Sequence, residues 1–149
     1  MFDALPNLHA VLVHFPIGLL GTAVVADIAA LAGPTQMIFR SRITLLYVAG
    51  TACLVATYLA GRAAAMNVYT PGMASSVVLN HWNLALAVTT YFGTLTVARL
   101  CAARLSRPTG WKVQGLFAAA GLAGLVGLLV AADRGGQLVY RWGVGVVAR

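Results

Sequence analysis

The sequence predicts an all-α integral membrane protein, a four-transmembrane-helix bundle with both termini on the non-cytoplasmic side. The first observation is composition: of 149 residues, 60% are hydrophobic and only 9% are charged, whereas an average soluble domain has roughly 25% charged residues. The second is a mean hydropathy of +0.87 over the whole chain. The third is the presence of four apolar stretches, each close to the ~20 residues that an α-helix needs to cross ~30 Å of hydrocarbon.

The four stretches run over residues 8–31, 43–60, 77–98 and 113–132, and they predict a single four-helix transmembrane domain over residues 1–149. They are too long and too rich in Leu, Ala and Gly for barrel strands, and helices satisfy their own backbone hydrogen bonds in lipid. The segment before the first helix, MFDALPN, has no basic residue and contains Asp3. A retained helix is therefore predicted rather than a cleaved secretory signal.

The distribution of basic residues predicts the orientation. The loops after the first and third helices share one side, which has six of the ten Lys and Arg residues: Arg40, Arg42, Arg99, Arg104, Arg107 and Lys112. The opposite side has Arg62, Arg134, Arg141 and Arg149, together with Asp3 and Asp133. The positive-inside rule therefore places both termini outside the cytoplasm. These loop residues account for most of the net charge of +7, and no basic surface interleaved with aromatic residues predicts nucleic-acid binding.

Three histidines lie toward the predicted non-cytoplasmic face. His9 and His14 begin the first helix, and His81 begins the third, which runs in the same direction. Ionisable groups are costly in a bilayer, so these side chains are candidate functional residues. The two helix openings, NLHAVLV and NHWNLALAV, echo one another and suggest a two-plus-two repeat.

The helix surface below His14 predicts a cofactor slot. Gly18 and Gly21 lie within about 40° of His14 at 100° per residue, so this line has almost no side chains. His81 begins the matching line on the third helix. A flat macrocycle such as haem b fits between two such helices, with one imidazole binding the iron from each side. The expected site comprises the axial iron ligands His14 and His81, the slot residues Gly18 and Gly21, and the propionate partners Arg62, Arg134 and Arg141.

Simpler interpretations stand beside this one. Small residues in membrane helices usually serve helix packing, and the fourth helix has such a line in Ala120, Gly124, Gly127 and Ala131. A histidine near a helix end can bind interfacial water or a backbone carbonyl. His9 lies about 140° from His14 on an ideal helix, so both enter one slot only if Pro16, which lacks an N–H group, distorts the first turns. His9 is therefore expected as an alternate ligand or a hydrogen-bond partner of quinone.

Asp27 is a further ionisable residue inside the first span. It lies eighteen residues after His9, five full turns away, and so on the same face but near the cytoplasmic end. The sequence favours an ion pair with Arg40 or Arg42 at the membrane boundary over a role in a proton relay.

The opening LHAVLVHFPIGLL, the third-helix start NHWNLAL and the closing GGQLVYRWGVGV together resemble the small bacterial predicted membrane proteins of domain of unknown function 2231. The resemblance covers nearly the whole chain, and its motifs are specific in combination. It implies four transmembrane helices in the bacterial inner membrane, a respiratory context and a b-type haem at positions matching His9, His14 and His81. The family tail usually reads Y-R-H-G-V-G. Here Trp142 replaces that histidine, so a role that needs a fourth imidazole does not carry over.

The expected function is that of a non-catalytic electron-transfer subunit of a respiratory oxidoreductase. Two axial imidazoles leave no open position on iron for a substrate, so haem near the non-cytoplasmic face would relay electrons between an extracytoplasmic partner, such as a c-type cytochrome, and the quinone pool. The alternative is a cofactor-free membrane anchor or assembly subunit of a larger complex. A copper or zinc site lined by three histidines is a third interpretation, which the offset of His9 disfavours. The sequence has no P-loop, dinucleotide-binding or nucleophile-elbow motif.

Overall fold

The computed structural model describes residues 5–33, 37–66, 68, 70, 72–104 and 110–145. Helices account for most of them: α1 (Leu5–Leu12), α2 (His14–Leu31), α3 (Met37–Ala65), α4 (Ser75–Arg104) and α5 (Trp111–Tyr140), with a 3₁₀ turn over Gly72–Ala74. No strand occurs in these described ranges. Four spans are long and apolar enough to cross a membrane: Leu8–Leu31, Phe39–Ala65, Gly72–Arg104 and Trp111–Tyr140. The predicted class, an all-α chain with four membrane-spanning helices, is confirmed, while the orientation of the termini stays a prediction.

The helices extend beyond the apolar stretches from which they were predicted. The second stretch was expected over residues 43–60, whereas α3 runs over Met37–Ala65. The fourth was expected over residues 113–132, whereas α5 runs over Trp111–Tyr140. Hydrophobicity marks only the part of a helix that lies in hydrocarbon, because the backbone hydrogen bonds continue into the polar flanks.

The first span is interrupted once, at Val13, between α1 and α2. Pro16 has no N–H group, so it cannot donate to the carbonyl of Leu12 one turn earlier. Val13 nevertheless keeps helical angles, with φ −59° and ψ −26°, and its N–H donates to the carbonyl of His9 at 3.1 Å. Because the turn stays helical, His9 and His14 keep different directions around the span.

The four spans form a ring in which α2 and α4 each pack against both α3 and α5. It follows that α2 and α4 face one another across the centre. We call the end where α1 begins, α3 ends, α4 begins and α5 ends the terminal end of the bundle. The opposite end, where α2 ends, α3 begins, α4 ends and α5 begins, is the loop end.

Aromatic side chains in the centre of the bundle pack against small residues of α5. A Cβ on Gly124 would lie 2.9 Å from Cζ of Phe92, a fully buried ring. The hydroxyl of Tyr91 donates to the carbonyl of Ala120 at 2.8 Å, and a Cβ on Gly127 would lie in ordinary contact with α4. The predicted packing face of the fourth span is therefore confirmed. The fully buried side chains with the largest volumes are Tyr47, Phe92, Leu20, Val24 and Pro16.

A buried ion pair joins α2 to α4 near the loop end. The guanidinium of Arg99 donates from Nη1 to Oδ2 of Asp27 at 2.7 Å and from Nη2 to Oδ1 at 2.8 Å. Tyr47 of α3 donates its hydroxyl to Oδ2 of Asp27 at 3.0 Å. The guanidinium also lies over two rings, 4.3 Å from the centroid of Tyr47 and 4.9 Å from that of Phe117 on α5. Arg99 therefore contacts one residue from each of the other three spans.

This pair corrects two expectations. The predicted partners of Asp27 at the membrane boundary, Arg40 and Arg42, were wrong, because Arg99 makes the bidentate bond. Arg99 was also counted among the loop residues, whereas it is 7% exposed inside α4. One sequence signal could have predicted the pair. Asp27 lies four residues before the end of α2 and Arg99 lies five residues before the end of α4, so the two opposite charges are at the same depth near the loop end.

Candidate functional site at the terminal end

His9 is held against α3 at the terminal end of the bundle. Its Nδ1 lies 3.0 Å from the carbonyl oxygen of Thr57, and since a carbonyl only accepts, the ring nitrogen donates. The ring lies on Gly61, where a Cβ would come within 2.8 Å of Cε1 of His9. Only glycine at position 61 leaves room for the imidazole as it is placed.

Thr57 fixes the segment that contains His9 at a second point. Its hydroxyl lies 3.3 Å from the carbonyl of Leu12 and 2.8 Å from that of Cys53 in its own helix. The Leu12 carbonyl is the group that loses its helical partner at Pro16. Thr57 is 5% exposed, and its hydroxyl replaces part of the missing bond from outside the helix.

His81 is held against α5 in the same part of the bundle. Its imidazole hydrogen-bonds the backbone of Ala131, and a Cβ on Gly135 would lie 3.1 Å from its Cε1. The Nδ1 atom of His81 is buried and has no hydrogen-bond partner within the described part of the chain. The bond to Ala131 therefore belongs to Nε2, and Nδ1 holds the lone pair of the neutral ring.

His9 and His81 both lie at the terminal end of the bundle, and both side chains are half-buried. His14 is exposed, and its Nδ1 faces the carbonyl of Val11 on the preceding turn at 3.4 Å. The expected pairing of His14 with His81 stays a prediction, while His9, the histidine expected as an alternate ligand, is the one of the two on the first span that is half-buried.

The line below His14 opens outward. Gly18 is exposed and Gly21 is half-buried, and among the described residues no heavy atom lies within 4 Å of the position that a Cβ would take on either one. These glycines consequently differ from Gly61 and Gly135, which a neighbouring ring covers. Their expected role beside a cofactor stays a prediction.

The three arginines expected near the histidines all lie at the terminal end. The guanidinium of Arg62 stacks over the Trp82 ring, 4.6 Å from its centroid, and Nη1 lies 3.4 Å from the hydroxyl of Tyr58. Arg134 is exposed about two turns before the end of α5, and Arg141 is exposed directly after that end. All three are therefore accessible cations at the end where His9 and His81 lie.

The glycines of the tail motif have a conformational role in this fold. Gly143 has φ +63° and Gly145 has φ +77°, a region that side-chain-bearing residues rarely adopt. After α5 ends, the N–H of Val144 donates back to the carbonyl of Leu138 at 2.9 Å. Gly143 thus caps the last helix, and its N–H donates to the carbonyl of Val139 at 3.1 Å.

A metal centre built only from protein ligands is a poorer fit. Across the residues that the structure describes, no three His, Cys, Asp or Glu side chains form a group that could hold a metal ion. An iron porphyrin needs only two protein ligands, because four of its six positions are filled by the macrocycle. Among the described residues, two half-buried imidazoles, His9 and His81, lie at the terminal end.

Comparison with known families identifies the chain. The profile of the family described as Predicted membrane protein (DUF2231) matches residues 5–148. The chain belongs to this family. The suspected relationship to domain of unknown function 2231 is therefore confirmed, and with it the assignment as a membrane protein with four apolar spans that contact lipid. No curated protein and no solved structure matches the chain.

Proposed function

We propose that this DUF2231 protein is a membrane electron-transfer subunit that binds b-type haem near the terminal end of the bundle. The observation that carries the proposal is the buried Nδ1 atom of His81, which has no hydrogen-bond partner among the described residues. A buried polar atom without a partner is costly. A metal-ligating histidine typically donates its other N–H to a carboxylate or backbone carbonyl, as His81 does to Ala131. A second imidazole would come from the first span, which contains His9 and His14.

The charge distribution at the terminal end supports the same ligand. Haem b has two propionates, which require cations or water at the polar edge of the bilayer. Arg62, Arg134 and Arg141 are exposed at that end, and Arg62 is held by its contact with Trp82. These arginines would pair with the propionates, while the macrocycle would lie between apolar helices.

When bound, haem with two imidazole ligands supplies reversible one-electron transfer and offers no open iron position to a substrate. The chain itself orients the imidazoles, pairs the propionates and excludes water. We propose that an extracytoplasmic one-electron carrier, such as a c-type cytochrome, and membrane quinone exchange electrons through this site. Two electrons delivered singly, with two protons, convert one quinone to quinol. The protein would act in the bacterial inner membrane as a subunit of a respiratory complex.

The experiment is an optical spectrum of the purified protein in detergent, before and after dithionite, from cells supplied with a haem precursor. We expect a Soret band with sharp reduced α and β bands and a b-type pyridine haemochromogen. A featureless spectrum from folded protein that was produced in haem-replete cells would overturn the proposal. The remaining interpretation would then be a cofactor-free anchor or assembly subunit of a larger complex.

A further inference from the structure

α3 and α5 hold His9 and His81, respectively, through the same arrangement of a backbone acceptor and a glycine. His9 bonds the carbonyl of Thr57 and lies on Gly61, four residues later. His81 bonds the backbone of Ala131 and lies on Gly135, also four residues later. We call each combination of a carbonyl and the glycine four positions after it an imidazole seat.

The geometry of an α-helix explains why this spacing recurs. Residues four apart lie on the same face, one turn above the other. The carbonyl of the first residue has a second lone pair that can accept an N–H from outside the helix. The imidazole that donates to it then lies across the next turn, where a Cβ would clash. Cβ atoms on Gly61 and Gly135 would lie 2.8 Å and 3.1 Å from Cε1 of the respective ring.

The two seats repeat along the chain. A histidine on the first span hydrogen-bonds the second span, and a histidine on the third span hydrogen-bonds the fourth. His9 lies 48 residues before its carbonyl partner, and His81 lies 50 residues before Ala131 by residue number. The two halves of the chain are thus built alike at the terminal end, as the echo between the two helix openings suggested.

Each seat leaves one ring nitrogen for a ligand. The donation from Nδ1 of His9 to a carbonyl leaves the lone pair on Nε2. At His81 the lone pair is on Nδ1, which is buried and without a partner. Both rings lie at the terminal end of the bundle, His9 against α3 and His81 against α5.

We propose that His9 and His81, seated on Gly61 and Gly135, form a single bis-imidazole site that binds haem iron. This proposal rests on the proposed function, and it differs from the ligand pair that the sequence predicts because it excludes His14. Thr57 and Ala131 are positioning residues, since their carbonyls fix the tautomer and direction of each ring.

The test uses haem-replete protein in detergent and the low-spin ferric signal in electron paramagnetic resonance, with monodisperse elution as the folding criterion. His9→Gly and His81→Gly should each lose the low-spin signal, and added imidazole should restore it in both. His14→Gly should keep the signal. Loss of the signal in His14→Gly, with retention in His9→Gly, would overturn this proposal while leaving the proposed function intact. A wild-type protein that binds no haem would overturn the proposed function itself.

Glycine variants test the two imidazole seats independently and leave every histidine in place. Gly135→Ala should displace the His81 ring and reduce the low-spin fraction, whereas Gly136→Ala, for which no described heavy atom lies within 4 Å of the new Cβ, is the matched control. Gly61→Ala should act on His9 in the same way. Unchanged low-spin signals in both Gly61→Ala and Gly135→Ala would contradict the two seats as ligand-positioning devices.

Discussion

Arg99 shows how a charged side chain is accommodated inside this bundle. Each polar contact of its guanidinium comes from Asp27, and the rings of Tyr47 and Phe117 cover its faces. Removal of one partner from a buried ion pair leaves an uncompensated charge, which typically costs about 3–5 kcal/mol. Replacement of both partners by apolar residues avoids that penalty.

We therefore expect Arg99→Met to lower the free energy of unfolding by about 3 kcal/mol, and the double variant Asp27→Leu with Arg99→Met to recover most of the loss. Thermal unfolding in detergent measures both effects. Arg62→Met is the control, because Arg62 is exposed and, within the described part of the chain, its side chain contacts Trp82 and Tyr58 rather than a carboxylate. Equal destabilisation by the single and double variants would show that the pair is not the source of the effect.

Gly121 supports the same cluster from α5. A Cβ there would overlap the hydroxyl of Tyr47 and would approach Val24 at 3.1 Å. We expect Gly121→Ala to displace the Tyr47 hydroxyl from Asp27 and to destabilise the protein by about 1–3 kcal/mol, the usual range for overpacking.

Gly115→Ala in the same helix is the control for this variant, since no described heavy atom lies within 4 Å of its added Cβ. Unfolding midpoints of the two variants in one detergent provide the comparison. A midpoint for Gly121→Ala equal to that of Gly115→Ala would mean that the hydroxyl relocates without cost.

At the scale of elements, the first span depends on α3 because of one proline. Pro16 leaves the Leu12 carbonyl without a helical donor, and the hydroxyl of Thr57 approaches it from the neighbouring helix. The same residue accepts the bond from His9 through its carbonyl. The sequence marks the proline but not the distant threonine, which is why the turn was predicted only as a possible distortion.

We expect Thr57→Val to lower stability by about 1 kcal/mol, because hydrogen bonds between membrane helices contribute roughly that much. The loss should be local. Hydrogen exchange should therefore accelerate at the amides around Val13 while those of α5 stay unchanged. Thr94→Val is a matched control, because the Thr94 hydroxyl bonds only the Thr90 carbonyl in its own helix among the described contacts. Identical exchange in the two variants would exclude an interhelical role for Thr57.

At the scale of the whole molecule, charge is distributed unevenly between the two ends of the bundle. Basic residues are more numerous at the loop end, and the positive-inside rule therefore predicts that this end faces the cytoplasm. The histidine pair and the exposed arginines would then face the other compartment, where an extracytoplasmic electron carrier could reach them.

Two exposed positions test this orientation in a background without Cys53 and Cys101. We expect Met73→Cys, at a side chain 83% exposed at the terminal end, to react with a membrane-impermeant maleimide in intact cells. Trp111→Cys, at a side chain 77% exposed at the loop end, should react only after permeabilisation. The reverse labelling pattern would place the termini in the cytoplasm.

Much of the fold follows from the sequence because a bilayer restricts a chain so strongly. Four apolar stretches of sufficient length permit little except four helices, and the small residues of the fourth span marked its packing face. Helix ends were less accurate, since hydrophobicity does not report where backbone hydrogen bonding stops. For the site, the sequence identified the three histidines and the end of the bundle where they lie, because ionisable residues in apolar segments are conspicuous.

The sequence by itself thus determined that the chain spans a membrane four times and that its histidines lie toward one end. The tertiary structure alone decided which groups meet: His9 with the Thr57 carbonyl and Gly61, His81 with Gly135, and Arg99 rather than Arg40 or Arg42 with Asp27. The physical reason is that helical periodicity fixes the direction of a side chain relative to its own helix, whereas the rotation of each helix in the ring depends on packing. Gly61, Gly121 and Gly135 set that rotation, because each accepts a ring or hydroxyl from another span where a Cβ would exclude it.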